Sequence, residues 1–424
     1  MKILFISPGA GDSYYCGNCF RDSLQAAALQ KTGHDVTVMP LYLPILYGTE
    51  GVPVFFPAIS YYLEQKLFKK GNMPAWLERL VSSKSLLGLA ASMSGTTSAS
   101  GMEGMTMSMI SGADAAFRKN WADMEAWIRA DGVPDLVHLS SSLLIGMAGM
   151  VKEAFGIPVV CSLQDEEVWI DGLEPAWADT AWKTIAANAT HVDAFVVSSE
   201  YYRDIALKRM PDCHPTLIYP GFDIDKYRHE ALPENPTVGF FYRMNDLDGL
   251  DILADAFVLL KERGSVPNLK LRIGGGSSGS DRRFIARVKD RLRPFREDVT
   301  WCEDYSPIAH HLFYRDITVL SVPLRFDEAV GLYVCEAFAT GRPVVEPDRG
   351  SFPEIVGDGG VLYAENTPEK LANALETILL DRNLQNRCRA GAVRLAEERY
   401  AGEGCARSIE EKLYGKLIQI KTTI

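Results

Sequence analysis

The stretch from Ser321 to Val356, SVPLRFDEAVGLYVCEAFATGRPVVEPDRGSFPEIV, limits the fold most tightly, because a strand, a polar turn, a short helix and a second strand follow with almost no connecting chain. Ile317 to Val322 is an apolar run ended by Pro323. A helix begins near Gly331 and stops at Gly341 and Pro343, and Val344 and Val345 open the next buried strand. Such a passage leaves the first N–H groups of the helix unpaired at the solvent end of the sheet, where they favour an anion, most naturally a phosphate. Glu328 falls in the turn and Glu336 in the helix. Carboxylates that bracket an anion site without sitting on it suit hydroxyls, as on a ribose or a hexose.

The rest of the chain alternates in the same way. Lys2 to Ser7 reads as a strand, Phe20 to Thr32 as a helix stopped by Gly33, and His34 to Leu41 as a second strand. Asp135 to Ser140, Pro158 to Leu163 and Ala194 to Ser199 continue as buried strands, each followed by a helical run, which predicts a parallel sheet with ligands past the strand ends. His138 and the run Gln164, Asp165, Glu166, Glu167 emerge at two of those ends. Pro220, Pro233 and Pro236 mark a linker, after which Thr237 to Arg243, Gly249 to Arg263 and Leu269 to Gly274 repeat strand, helix and strand. Between Pro57 and Trp127 the pattern loosens around a Ser, Gly and Met-rich stretch that reads as a lid or a loosely packed insertion.

A net charge of −11 argues against a nucleic-acid partner. Met1 to Pro8 is too short for the apolar core of a leader and no apolar stretch approaches a membrane span, so a cytoplasmic protein is expected. Arg282, Arg283, Arg287, Lys289, Arg291, Arg293 and Arg296 read first as a solvated helix face and second as a peripheral contact with the inner face of an anionic membrane. Of the eight cysteines, Cys16 and Cys19 form a C-x-x-C before a helix; loop packing is the leading reading, ahead of a redox pair, and no second pair completes a zinc site. Gly9 and Gly11 do not complete a dinucleotide fingerprint.

Glu328 and Glu336 with Gly331-Leu332 between them, then Ala337, Gly341, Pro343 and Pro353-Glu354, resemble the donor-site motif of the retaining family 4 glycosyltransferases of the GT-B fold. The opening GAGDSYYCGNCFRDSL and the run CSLQDEEVWIDGL resemble one poorly described bacterial branch of that family. The resemblance implies an α/β chain of two facing Rossmann-like domains with a cleft between them: 1–222 on the acceptor side, 237–398 binding the nucleotide-sugar, and 399–424 as a helix crossing back. It implies that Glu328 meets the transferred sugar, that Glu336 meets the ribose, that backbone at Gly331 and Leu332 meets the diphosphate, and that the glycine-rich loop with Gly11 lies at the cleft as a donor-binding element. Arg243 would stabilise the leaving group; His138 and Asp165, at strand ends where the cleft is expected, are candidates for the acceptor side, with an exposed acidic loop an equal reading for Asp165. Gln164 stands where many relatives carry a His over the sugar, and Asp248 stands where they carry a Lys. A charge at ~5 Å in an effective dielectric of ~20 contributes about 3 kcal/mol, so the second departure matters. Asp246 and Asp248 also spell an Asp-x-Asp; a divalent metal there is the less favoured reading, and no cofactor is expected. The implied activity is transfer of a sugar from a nucleoside-diphosphate sugar, with retention, to an unidentified sugar, lipid-linked or small-molecule acceptor. A degenerate nucleotide-sugar-binding protein and a GT-B epimerase are the alternatives.

Overall fold

The computed structural model describes residues 1–9, 14–41, 102–227, 231–302 and 310–423. Its residues group into two compact units, one of Met1–Gly11, Arg21–Tyr219 and Cys405–Ile424, the other of Asp12–Phe20 and Pro220–Gly404.

In the first unit, β1 (Lys2–Ser7), β2 (Asp35–Pro40), β3 (Leu136–Leu139), β4 (Val159–Leu163), β5 (Ala194–Val197) and β6 (Thr216–Leu217) form one sheet in the order β2-β1-β3-β4-β5-β6. Every pairing is parallel. These strands read as apolar runs because both faces of a parallel sheet are covered by helices. Ile3, Phe5, Val36, Val38, Leu136, Val160 and Val196 pack with Leu29 of helix Gly17–Lys31 and with Ile409, Leu413 and Tyr414 of the C-terminal segment. The order reverses between β1 and β3, so the loops leaving those two strands open the binding crevice such sheets provide. Gly11 and the Tyr61 to Lys70 helical reading lie outside the described residues; part of the Ser, Gly and Met-rich stretch is described as helix Glu103–Ser111.

The second unit repeats the architecture with β7 (Thr237–Phe241), β8 (Lys270–Gly274), β9 (Val299–Trp301), β10 (Val319–Leu320), β11 (Val344–Pro347) and β12 (Gly360–Tyr363), in the order β12-β11-β10-β7-β8-β9 and again all parallel. Here the order reverses between β7 and β10, so Arg243, after β7, and the turn from Ser321, after β10, leave from the two strands that flank the crevice. The loop after β1, expected within 1–222, is divided: Tyr14 bridges Gly276 and the Tyr15 N–H donates to the Gly275 carbonyl at 2.7 Å, so Asp12–Phe20 is part of the second unit.

Candidate functional site

The turn after β10 is held by backbone before any side chain acts. Its Arg325 N–H donates to the Leu247 carbonyl at 2.9 Å, and the Ser351 N–H donates to the Glu328 carbonyl at 2.8 Å. Gly331 caps helix Leu332–Ala339 at φ +60°, a left-handed conformation that strains any side chain, and a Cβ there would lie 2.2 Å from Ile355 Cδ1, so that side chain would have to shift. All eight residues of that helix are buried, which makes this passage core as well as site.

Glu328 is buried, and its Oε1 accepts the Val330 N–H at 3.0 Å. Burial raises its pKa, while the amides of Val330, Gly331 and Ala329 pull the other way. Glu346 is a second buried carboxyl nearby, taking the Val322 N–H at 3.1 and 3.2 Å and held well above the carboxylate range by burial.

Glu336 is completely buried and its acceptor capacity is full. Oε1 receives His310 Nδ1 at 2.7 Å and the Tyr227 hydroxyl at 2.6 Å; Oε2 receives the hydroxyls of Tyr15 at 3.0 Å and Tyr314 at 3.3 Å. Four donors on four lone pairs are what a buried carboxylate requires to offset its lost hydration.

Arg243 is buried and pinned. Its Nε meets Asp281 Oδ2 at 3.1 Å, its Nη2 meets Ser278 Oγ at 2.7 Å, and the Tyr14 ring stacks on the guanidinium at 4.2 Å. Asp248, expected to set an anion beside the diphosphate, is only 4% exposed, and its Oδ2 has no hydrogen-bond partner. Burial raises its pKa well above the ordinary value; Arg243 opposes this, and Asp281, Glu328 and Asp246 add to it. Burial therefore favours the neutral form of Asp248, which weakens the anion that the sequence places beside the donor site. Asp246 is exposed, and among the described residues no group of three or more His, Cys, Asp or Glu is placed to hold a metal ion.

In the first unit a polar network gathers at the ends of β3, β4 and β5. Glu166 accepts from Ser141 Oγ at 3.0 Å, the Ser142 N–H at 2.9 Å, the Gln164 N–H at 2.6 Å and the Tyr202 hydroxyl at 2.7 Å. Gln164 donates through Nε2 to the Ser140 carbonyl at 2.7 Å, leaving its buried Oε1 without a partner. Asp165 adopts a left-handed φ of +51°, and burial pushes Glu167, 2.5 Å from the Tyr202 hydroxyl, up to about 7. Arg21 and Asp22 add a buried pair, with Arg21 Nη2 2.6 Å from Asp22 Oδ1.

His138 does not belong to this group. β3 is flanked by β1 and β4, and the imidazole is fully buried, stacked on Phe5 at 4.5 Å between Tyr414 Oη at 2.6 Å and Ser162 Oγ at 2.8 Å. Burial holds its pKa down at about 3, so it is a neutral core histidine and not an acceptor-side group. Sequence reasoning also missed Tyr15, Tyr227, His310 and Tyr314 around Glu336, and Arg21, Asp22 and Tyr202 in the first unit. Only the adjacent charges Arg21-Asp22 inside a helix of small residues offered a signal.

Residues 235–381 match the family described as Glycosyl transferases group 1. A D-inositol 3-phosphate glycosyltransferase from Jonesia denitrificans is 30% identical over 203 residues, covering 43% of this chain and 47% of the relative. The chain spans about half the length of the first curated relatives it matches. Among solved structures, a sucrose-phosphate synthase from Thermosynechococcus elongatus superposes with a TM-score of 0.72 at 17% identity, over 99% of this chain and 100% of that one. Anabaena Alr3699/HepE in complex with UDP and glucose gives 0.68 at 17% identity, over 97% and 99%.

Proposed function

We propose that this chain is a family 4 glycosyltransferase of the GT-B fold, a reading supported by the match over residues 235–381 and the likeness in fold, and that it moves a sugar from a nucleoside-diphosphate sugar to a hydroxyl acceptor with retention of configuration. The observation that carries this is the pair Glu328 and Glu336, both buried, on the turn and helix that follow β10 at the point where the sheet order reverses. A buried carboxylate with several hydrogen-bond donors is a costly arrangement that a plain structural turn does not need. Alr3699/HepE, with the same fold, is described in complex with UDP and with UDP-glucose.

In this reading the donor lies on the second unit. Glu336 receives the ribose, the helix N-terminus at Gly331 and Leu332 and the pinned guanidinium of Arg243 face the diphosphate, and Glu328 receives the transferred sugar. Because Asp281 and Ser278 fix the guanidinium plane, Arg243 needs no reorganisation as charge develops on the leaving diphosphate. No protein carboxylate is assigned as a covalent nucleophile. The departing diphosphate oxygen takes the acceptor proton on the face it leaves, which preserves the anomeric configuration. On the first unit, Gln164 with its unpartnered Oε1 and the left-handed Asp165 supply hydrogen-bonding groups for the acceptor. Donor binding without a metal is the reading the single exposed carboxylate at Asp246 supports. The exposed basic residues of helix Arg282–Leu292 support a peripheral contact with an anionic surface as a further part of the proposal.

The test is nucleoside-diphosphate release from UDP-, GDP- and ADP-sugars, with and without simple sugar and inositol acceptors, and NMR of the product anomer. Release that depends on acceptor, with the donor's configuration kept, is expected. Acceptor-independent conversion of the sugar would replace the proposal with an epimerase, and an inverted anomer would overturn the retaining mechanism.

A further inference from the structure

The four donors on Glu336 are not held alike. Tyr15 is 1% exposed and its ring packs against Phe20, Phe241, Tyr242 and His310, with centroids 5.4 to 6.4 Å away. His310 and Tyr314 sit on helix His310–Arg315 with 1% and 0% of their surface exposed. Tyr227 differs: it is half-buried and follows the single turn Ile224–Lys226 in an irregular segment, its ring edge-on to Phe222 at 5.1 Å. Yet it makes the shortest of the four bonds to Glu336, at 2.6 Å.

A carboxylate has about four acceptor positions, and here all are occupied, so a ribose hydroxyl can reach Glu336 only by displacing a donor. The phenol is also the member of the set whose chemistry a sugar hydroxyl copies, one O–H exchanged for another at the same oxygen. Displacing Tyr15, His310 or Tyr314 would break a packed core, whereas displacing Tyr227 requires rotation of a side chain on a short turn.

We propose that Tyr227 is a specificity-determining residue whose hydroxyl occupies the ribose position on Glu336 in the unliganded chain and competes with the vicinal diol of the nucleotide for it. This rests on the preceding reading that Glu336 receives the ribose. Its consequence is selectivity. A ligand without ribose hydroxyls leaves the Tyr227 bond in place, while one with them exchanges that bond for its own, so the intrinsic preference of Glu336 for a ribonucleotide is masked by what the phenol already supplies.

The experiment compares wild type with Tyr227→Phe, which keeps the ring against Phe222 and removes only the hydroxyl. UDP, GDP and ADP and their 2′,3′-dideoxy counterparts are titrated calorimetrically. Removing a phenol-to-carboxylate bond should tighten ribonucleotide binding about tenfold and leave the dideoxy affinity where it was, so the ribo-to-dideoxy ratio widens by the same factor. An unchanged ratio, or weaker ribonucleotide binding, overturns the competition while the wild-type affinity keeps the donor-site reading intact. Absence of binding by every nucleotide to both proteins removes the donor-site reading and this inference with it. Should the variant not fold, 3-fluorotyrosine at position 227 of the otherwise unaltered chain serves instead. Its fluorine resonance should move with the ribonucleotide and stay with the dideoxy form, and equal movement with both refutes the proposal.

Discussion

Asp248 offers the sharpest quantitative prediction, because its charge state decides between two accounts of one substitution. If the carboxyl were ionised, it would sit as an anion near the donor diphosphate, and Asp248→Asn at neutral pH would relieve a repulsion of about 3 kcal/mol, for ~5 Å and an effective dielectric of ~20. That is a gain of about a hundredfold in nucleotide affinity. The structure makes the other claim. With the carboxyl buried and its Oδ2 unpartnered, burial outweighs the help of Arg243 and, with Asp281, Glu328 and Asp246 adding to it, favours the protonated form. Asp248→Asn should then change nucleoside-diphosphate affinity by less than about threefold near neutral pH, since one neutral group replaces another. As pH rises through the elevated pKa, wild type should lose affinity toward that hundredfold limit while the Asn variant stays level. Stability follows the same sign. The folded pKa lies above the unfolded value of 3.8, so the contribution is whole below that value and is lost as pH rises through the folded pKa, by about 1.4 kcal/mol for each unit of separation. Calorimetric titration between pH 6 and 9.5, with and without chelator, measures it. A large gain for Asp248→Asn at neutral pH refutes the protonated carboxyl, and wild-type binding that disappears with chelator refutes the metal-free site.

Three further outcomes follow from the packing. Replacing both Cys16 and Cys19 by Ser should leave a folded protein with nucleotide affinity little changed, and stoichiometric zinc in the purified wild type, measured by elemental analysis, would contradict the loop-packing reading. His138→Leu strands the hydroxyls of Ser162 and Tyr414 in the core and should cost about 2–4 kcal/mol in denaturant unfolding while nucleotide affinity is retained, because the ring packs and hydrogen-bonds only within the core of the first unit. Gly249→Ala forces a Cβ to 1.9 Å from the Pro323 carbonyl at φ +74°, so it should destabilise by at least about 2 kcal/mol in the same assay and weaken nucleotide binding by shifting the turns after β7 and β10.

The parts of this molecule that were legible in the sequence are those set by local chemistry. Apolar runs such as Val344–Val345 became the strands of parallel sheets because both faces are covered, and Gly331 and Gly341 bracketed the short helix because they set its ends. That Glu328 falls in a turn and Glu336 in the short helix behind it was legible because their spacing is local. What surrounds Glu336 was not: Tyr15 lies 321 positions away in the chain and Tyr227 lies 109, and no periodicity links them. His138 misled because a strand-end histidine looks exposed until the neighbouring strands are known to bury it. Asp248 misled more deeply, since a sequence shows an acidic residue and not its proton, which depends on burial and on carboxyls brought together by the fold. The loop after β1 read as part of the first domain, and only its pairing with Gly275 and Gly276 places Tyr14 and Tyr15 in the second unit.

The central claim is that Glu336 receives the ribose of a nucleoside diphosphate, and thermal unfolding in the presence of UDP, GDP, ADP and inorganic pyrophosphate tests it most directly. One of the nucleotides, at a hundredfold excess over its dissociation constant, should stabilise wild type by about 2.7 kcal/mol. Glu336→Ala should lose most of that nucleotide stabilisation while keeping the effect of pyrophosphate, which has no ribose to lose. Melting curves unmoved by every nucleotide, or a Glu336→Ala variant stabilised by nucleotide as fully as wild type, would contradict the account.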